Sequence, residues 1–157
     1  DGNKKKTWQK GIGNTGGIYH TDADDLQDVV ETMEKVMESG NGGDIPENDF
    51  EAISKSMKLL NDYEDIILIA DNKSSVRDML LLEKIDKPVH IILCSINEQG
   101  YINPDYIKLA YNTGGSIHTL DQDLIDLAKL HPGQIIRIGN MDYTVKNGTL
   151  GQVARPK

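Results

Sequence analysis

The chain lacks the features that mark disulfide-stabilised and membrane-spanning proteins. Among its 157 residues there is one cysteine, so Cys94 cannot form an internal disulfide. Cys94 closes an apolar run, and we interpret it as a small core residue rather than a nucleophile. No apolar stretch approaches the ~18 residues that a membrane span needs, and no signal-peptide pattern opens the chain. We expect one domain of ordinary size with its own apolar core.

Positive charge is also scarce. The sequence has 17 basic and 25 acidic residues, for a net charge of -8, which argues against general binding to nucleic acid or to an anionic membrane. Residues 4–6 form the only basic run and are typical of a solvated chain end. Residues 11–16 fit a dinucleotide-binding glycine pattern, but no apolar strand precedes them, so the sequence predicts no nucleotide site there.

Two apolar runs predict a parallel sheet. Ile66 to Ala70 is apolar at five consecutive positions, without the alternation of a half-exposed strand, so the sequence predicts a strand covered on both faces. Val89 to Cys94 repeats the pattern after a helical segment around residues 76–85. A strand, a helix and a strand at this spacing predict a right-handed βαβ crossover. Asp71 then stands at the carboxyl end of the first strand.

Three helices are predicted around these strands. The first begins in a capping box formed by Thr21 and Asp24. The second follows Pro46, after a glycine-rich loop over residues 40–43. The third covers residues 106–111 and ends at a glycine pair. Apolar stripes at helical spacing define the buried faces of the first two helices: Leu26, Val29, Val30, Met33, Val36 and Met37, then Phe50, Ile53, Met57 and Leu60.

The carboxyl-terminal third predicts shorter elements. A strand over residues 116–118 and a helix over residues 121–130 follow the glycine pair. Residues 134–138 and 143–146 alternate around Gly139-Asn140, which predicts a β-hairpin outside the parallel sheet.

These segments predict four parts of the chain. We expect an approach loop over residues 1–17 and an α/β domain over residues 18–131. A terminal β-hairpin over residues 132–150 and a loose tail over residues 151–157 complete the chain.

A short internal similarity links two glycine turns. Residues 14–21 (NTGGIYHT) resemble residues 112–119 (NTGGSIHT). We interpret this as one local device used twice, in which a glycine turn precedes a short strand, a polar cap and a helix. His20 and His118 are then capping or surface residues. His90 lies inside a strand run and is interpreted as a hydrogen-bonded core residue.

Carboxylates at the carboxyl edge of the sheet are the candidate site. Ligands of open parallel sheets bind outside the carboxyl ends of the strands, where Asp71 is expected. The glycine-rich loop carries Asp44 toward this edge or toward the opposite one. Two carboxylates with the hydroxyls of Ser74 and Ser75 would suit Mg²⁺, which prefers oxygen ligands. Asp and Asn are also common turn residues after a strand, so a purely structural role for Asp71 is an alternative of equal weight to the metal site.

Three segments carry a resemblance to a known family. They are residues 40–47 (GNGGDIPE) with the helix after them, residues 66–71 (IILIAD), and residues 107–115 (IKLAYNTGG). Over roughly residues 12–130 the chain resembles a von Willebrand factor A-like domain of bacterial type. The resemblance implies an α/β fold in three layers, Rossmann-like, with a parallel sheet between helices. The predicted C-terminal β-hairpin is an addition to it.

The family resemblance also implies a metal-ion-dependent adhesion site. Asp71 matches the aspartate that a late strand contributes, and Asp44 matches the residue from the middle loop. The early Asp-x-Ser-x-Ser motif is absent, since residues 71–75 have the wrong spacing. The resemblance therefore implies that the amino-terminal strand is missing from this sequence. A preceding segment of the same domain, or another chain, would complete the sheet, and Mg²⁺ would bind only to the completed site.

The expected function is a noncatalytic protein-interaction module, dependent on a divalent cation in its intact form. A carboxylate of an unidentified protein partner would complete the coordination of the ion. One alternative is a structural α/β module with a degenerate metal site. A second alternative is a Mg²⁺-dependent hydrolase or phosphoryl-transfer domain, for which the sequence offers no nucleophile, base or phosphate cradle.

Overall fold

A computed structural model describes residues 11–12, 18–39, 47–60, 62–73, 75–95 and 100–153. The chain divides into two compact units. The helical unit comprises Asp1–Asn61 and Ser75–Leu82, and the sheet unit comprises Asp62–Ser74 and Glu83–Lys157. None of the helices in the described part is long and apolar enough to cross a membrane.

The helical unit contains α1, Leu26–Ser39, and α2, Asp49–Leu59. The predicted capping box is wrong, because Asp25 accepts a hydrogen bond from the backbone N–H of Gln27 at 2.9 Å and so caps α1. The apolar stripe of α1 is present but largely solvent-exposed, with Leu26, Met33 and Met37 all more than half exposed.

The amino end of α2 is held by a carboxylate that is distant in the sequence. Asp78 is fully buried, and its two oxygens accept hydrogen bonds from the backbone N–H groups of Phe50, at 3.3 Å, and Glu51, at 2.6 Å. Phe50 and Ile53 are buried as predicted, whereas Leu60 lies beyond the helix and is exposed. Burial raises the pKa of Asp78 above its ordinary value of 3.8, although both hydrogen bonds act in the opposite direction.

The sheet unit is built on four strands in the order β1-β2-β3-β4. Strands β1, β2 and β3 are parallel, and β4 is antiparallel to β3. Their bounds are Ile66–Asp71 for β1, Val89–Cys94 for β2, Ser116–His118 for β3 and Asp123–Leu124 for β4. The chain between β1 and β2 contains a 3₁₀ helix, Met79–Lys84.

Helix α3, Pro104–Thr113, covers one face of this sheet. Asn103 caps its amino end by accepting a hydrogen bond from the N–H of Asp105 at 3.0 Å. Gly114 ends it in the left-handed conformation, with φ of 75°, which glycine adopts without steric cost. The covered face buries the apolar side chains of Val89, Ile91, Leu93 and Ile117.

The prediction that β1 is covered on both faces is wrong. Its residues alternate between half-buried and exposed, and Ile67 and Ile69 are 69% and 68% exposed. The reason is position, because β1 is an edge strand of the sheet and α3 packs on the opposite face. The five consecutive apolar residues of β1 therefore lie in two different environments, one half-buried and one exposed. A complete three-layer fold is not evident in the described residues.

The helix predicted over residues 121–130 is also wrong. Strand β4 and a 3₁₀ helix, Leu127–Lys129, occupy this segment. The hydroxyl of Thr119 accepts hydrogen bonds from the N–H groups of Asp121 and Gln122, and this turn sends the chain back alongside β3. Asp126 then adopts φ of 61°, a left-handed conformation that a continuous helix cannot contain.

A second sheet of three antiparallel strands ends the described chain. Its strands are β5, Ile135–Ile138, β6, Met141–Lys146, and β7, Thr149–Val153. The predicted hairpin is confirmed as β5 and β6. The expectation of a loose tail after Gly151 fails for residues 151–153, because β7 pairs with β6 through Val153.

Candidate functional site

The face of the four-stranded sheet opposite α3 combines apolar and polar side chains. The register pairs Ile67 with His90, Ile69 with Ile92, and His90 with Ser116. Since paired residues point to the same face, residues of all four strands, β1 to β4, form one surface. We call it the open face, and it comprises Ile67, Ile69, Asp71, His90, Ile92, Cys94, Ser116, His118 and Asp123.

A polar array crosses the open face from β2 to β4. His90 Nδ1 lies 2.7 Å from Ser116 Oγ, and the same oxygen lies 2.6 Å from His118 Nε2. His118 Nδ1 lies 2.9 Å from Asp123 Oδ1. At the other end, His90 Nε2 faces Asp65 Oδ1 at 3.7 Å, an ion-pair distance. Two histidines thus share one serine hydroxyl, and each histidine faces its own aspartate.

The aspartates determine the direction of the hydrogen bonds. An ionised carboxylate only accepts, so His118 donates from Nδ1 to Asp123. In the tautomer of His118 that carries its one proton on Nδ1, Nε2 is an acceptor, and the Ser116 hydroxyl donates to it. The single hydroxyl proton is used in this way, so Nδ1 of His90 donates to Ser116 Oγ. The contact of His90 Nε2 with Asp65, at 3.7 Å, lies outside this assignment.

A cavity of about 470 Å³ lies against this array. Apolar side chains of Ile67, Ile92 and Leu120 form much of its wall, together with His90 and His118. No charged Lys, Arg, Asp or Glu is among the described residues that line it. Its volume is in the range of small-molecule sites, roughly 300–1,000 Å³.

Ser116 is not placed as a nucleophile. Its contacts with His118 and Asp123 have the connectivity of a hydrolase triad. However, Ser116 is only 4% exposed, does not line the cavity, and has a second imidazole on its oxygen. A substrate carbonyl could reach Oγ only after a histidine ring moved aside. The geometry therefore supports a rigid floor for binding rather than a reacting group.

Asp71 is at the carboxyl end of β1, as predicted. Its carboxylate accepts a hydrogen bond from the N–H of Lys73 at 2.8 Å. An aspartate that bonds to the backbone two residues later is a turn residue, so this contact agrees with the structural role considered for Asp71. Next to it, Asn72 is buried and bonds to the backbone of Tyr101 and Asn103.

The predicted partner in the metal site, Asp44, lies outside the described residues. Within the described part of the chain, no group of three or more His, Cys, Asp or Glu side chains could hold a metal ion. Asp71 by itself does not fit a Mg²⁺ site, which needs several oxygen ligands. The pair Asp71 and Asp44 stays a prediction.

Sequence reasoning missed the residues that form the polar array. His90 was expected in the core, and its side chain is 35% exposed on the open face. His118 was expected as a capping or surface residue, and it is a surface residue, 38% exposed, whose contacts with Ser116 and Asp123 were not predicted. Cys94 was expected in the core and is exposed. The signal that could have found the array is the Ser116-x-His118 spacing, since residues two apart on a strand share a face.

Compared with known proteins, the chain matches no protein-family model, no curated protein and no solved structure. No activity or ligand is therefore transferred to the chain from a relative.

Proposed function

We propose that the chain is a noncatalytic protein-interaction module of the von Willebrand factor A type, and that its open face binds an amphipathic basic helix of a partner protein. The observation that supports this proposal is the exposure of Ile67 and Ile69 on a parallel sheet, at 69% and 68%. Ile92 is 41% exposed and Leu120 is fully exposed beside them. A contiguous apolar patch of this kind marks an interaction site.

A helix is the occupant that the sheet favours. Parallel sheets are covered by helices on both faces, and α3 supplies this cover on one face. The six residues of β1 extend over about 20 Å, which a helix of about 14 residues spans. A partner helix lying along β1 and β2 would shield Ile67, Ile69 and Ile92 from water.

The charge of the surface favours a basic partner. Strands β1 to β4 contain no Lys or Arg. Asp65, Asp71, Asp121 and Asp123 are exposed. Asp65 faces His90, Asp123 contacts His118 and Asp71 ends β1, and the whole chain carries a net charge of -8. Lys or Arg beside the apolar stripe of a helix would meet these carboxylates at the rim, where charge complementarity speeds association and selects the partner.

Synthetic helices test the proposal directly. A fluorescently labelled peptide of about 14 residues with a leucine stripe and lysine flanks is titrated with the full chain, and its anisotropy is measured. A matched peptide has glutamate in place of lysine. We expect the lysine peptide to bind at least about tenfold more tightly. Ile69→Ser should weaken its binding by about tenfold, because an exposed apolar contact is lost.

Ile135 provides the matched control. It is 64% exposed on β5 of the second sheet, so Ile135→Ser should leave peptide binding unchanged. Equal affinity for the lysine and glutamate peptides, or equal effects of the two serine variants, would refute the proposal. A proline-substituted peptide of the same composition cannot form a helix. If it bound as well as the parent, the occupant would be an extended strand and the helix would be wrong.

The proposed interaction does not use Mg²⁺. Its apolar contacts lie on β1 and β2, and an ion bound at Asp71 would take no part in them. Binding of the lysine peptide is therefore expected to be the same with Mg²⁺ and with a chelator.

A further inference from the structure

The wall of the cavity on the open face specifies which chemical group it accepts. Three of the four ring nitrogens of His90 and His118 are engaged in hydrogen bonds within the array. The fourth, Nε2 of His90, faces Asp65. Both imidazoles also line the cavity. Because three of their four nitrogens are already engaged, we expect a ligand to contact mainly their ring faces and C–H edges.

Charge disfavours an anion in this cavity. No Lys or Arg is among its described lining residues, and Asp65 and Asp123 lie 3.7 Å and 2.9 Å from the ring nitrogens of the two histidines. A carboxylate or phosphate would meet these negative charges without a cation to offset them. A metal ion at Nδ1 of His90 or at either nitrogen of His118 would have to displace a hydrogen bond of the array.

The lining of the cavity favours a flat, uncharged ring. Imidazole faces stack on aromatic rings, and Ile67, Ile92 and Leu120 supply apolar contacts around them. The cavity, at about 470 Å³, has room for a large aromatic side chain and part of an aliphatic neighbour. Aromatic anchors in pockets at the centre of an interface commonly dominate binding energy.

We propose that this cavity holds an uncharged aromatic side chain of the partner helix, stacked on the imidazoles of His90 and His118. This inference rests on the proposed function. It adds to that function a defined anchor, and it makes the polar array a rigid platform whose hydrogen bonds hold both rings in place.

Three probes separate the anchor from the helix. The lysine peptide, with its leucine stripe and lysine flanks, is compared with a version in which one central leucine is replaced by tryptophan. N-acetyl-tryptophanamide is titrated alone as the free aromatic group. Affinity is measured by anisotropy, and the Hε1 signals of the four histidines are followed by NMR. His131 is exposed and outside the cavity, so its signal is the internal control.

The expected result has two parts. The tryptophan peptide should bind about tenfold more tightly than the leucine peptide. The Hε1 signals of His90 and His118 should move upfield with the tryptophan peptide and with the amide, because a stacked ring shields them. The His131 signal should not move.

The other outcomes distinguish this inference from the proposed function. Equal affinity of the tryptophan and leucine peptides without upfield shifts would overturn the anchor and leave the helix surface intact. Shifts with the amide alone, and no binding of either peptide, would make the cavity a site for free aromatic compounds and refute the partner helix. No shift and no binding with any probe would overturn both.

Discussion

The two faces of the four-stranded sheet differ although they alternate along the same strands. Ile91 is fully buried under α3, whereas its neighbour Ile92 is 41% exposed on the open face. On β2, the covered face carries the apolar residues Val89, Ile91 and Leu93. The open face carries the polar His90, which lies between Val89 and Ile91 in the sequence. Hydrophobicity alone therefore does not distinguish a surface that stabilises the fold from one that is available to bind.

The largest effect is expected from shortening the two neighbouring isoleucines of β2. Ile91→Ala removes a fully buried side chain and should lower the free energy of unfolding by about 3–4 kcal/mol. Ile92→Ala should cost about 1 kcal/mol or less, since water already reaches this side chain. Denaturant unfolding of both variants measures the difference. Similar losses would mean that the open face is enclosed in solution.

Added volume tests the tight packing where β3 begins. A Cβ on Gly115 would lie 1.9 Å from the carbonyl oxygen of Val89, so the backbone must shift. Gly115→Ala should cost about 2–3 kcal/mol. Gly151→Ala is the control, because nothing lies within 4 Å of its added Cβ. A loss below about 0.5 kcal/mol at Gly115 would contradict the close approach of the two strands.

The polar array on the open face gives a smaller stability effect. Ser116→Ala removes the hydroxyl shared by His90 and His118 and should cost about 1–2 kcal/mol. Thr149→Ala, which removes an exposed hydroxyl bonded to the carbonyl of Lys146, should cost less than about 0.5 kcal/mol. If the two losses were equal, the array would not hold the imidazoles in place.

Asp78 provides an enclosed carboxylate to compare with those on the open face. Its pKa is raised in the folded chain by burial, so the folded state binds the proton more tightly than the unfolded state. This contribution to stability is full below about pH 3.8, the ordinary pKa, and is lost as pH rises through the folded-state pKa. Asp78→Asn stays uncharged, so its stability relative to wild type should improve as pH rises.

The control for this prediction is the size of the effect at low pH. At low pH the Asp78→Asn variant should be less stable than wild type by at most about 1 kcal/mol. The reason is that an amide supplies one acceptor oxygen to the two N–H groups of α2. Thermal or denaturant unfolding at several pH values measures the trend. A relative stability that worsened with rising pH would reverse the sign and contradict the burial of Asp78.

Much of the sheet unit follows from local patterns in the sequence. The runs of β1 and β2 were long and apolar, and the Asn-Pro start and Gly-Gly end of α3 are signals that act within a few residues. The hairpin of β5 and β6 alternates around a glycine turn. These elements could be predicted because the residues that determine them are adjacent in the chain.

The open face could not be predicted because it depends on register and on sheet order. Nothing in the sequence of β1 says that it is an edge strand, and an apolar run looks the same with one face covered or with two. His90, Ser116 and Asp123 come together only through pairing of three separate strands. The segment after Thr119 has helical spacing of apolar residues, and a turn of side-chain hydrogen bonds overrides it.

Cys94 tests most directly whether the open face is a docking surface. It is the only cysteine, it is exposed, and it lines the cavity. The full chain is treated with a thiol-specific reagent under native conditions, with and without the lysine peptide. We expect prompt labelling of the free chain and slower labelling in proportion to the fraction of peptide bound. Labelling only after unfolding, or a rate unaffected by bound peptide, would contradict the proposal.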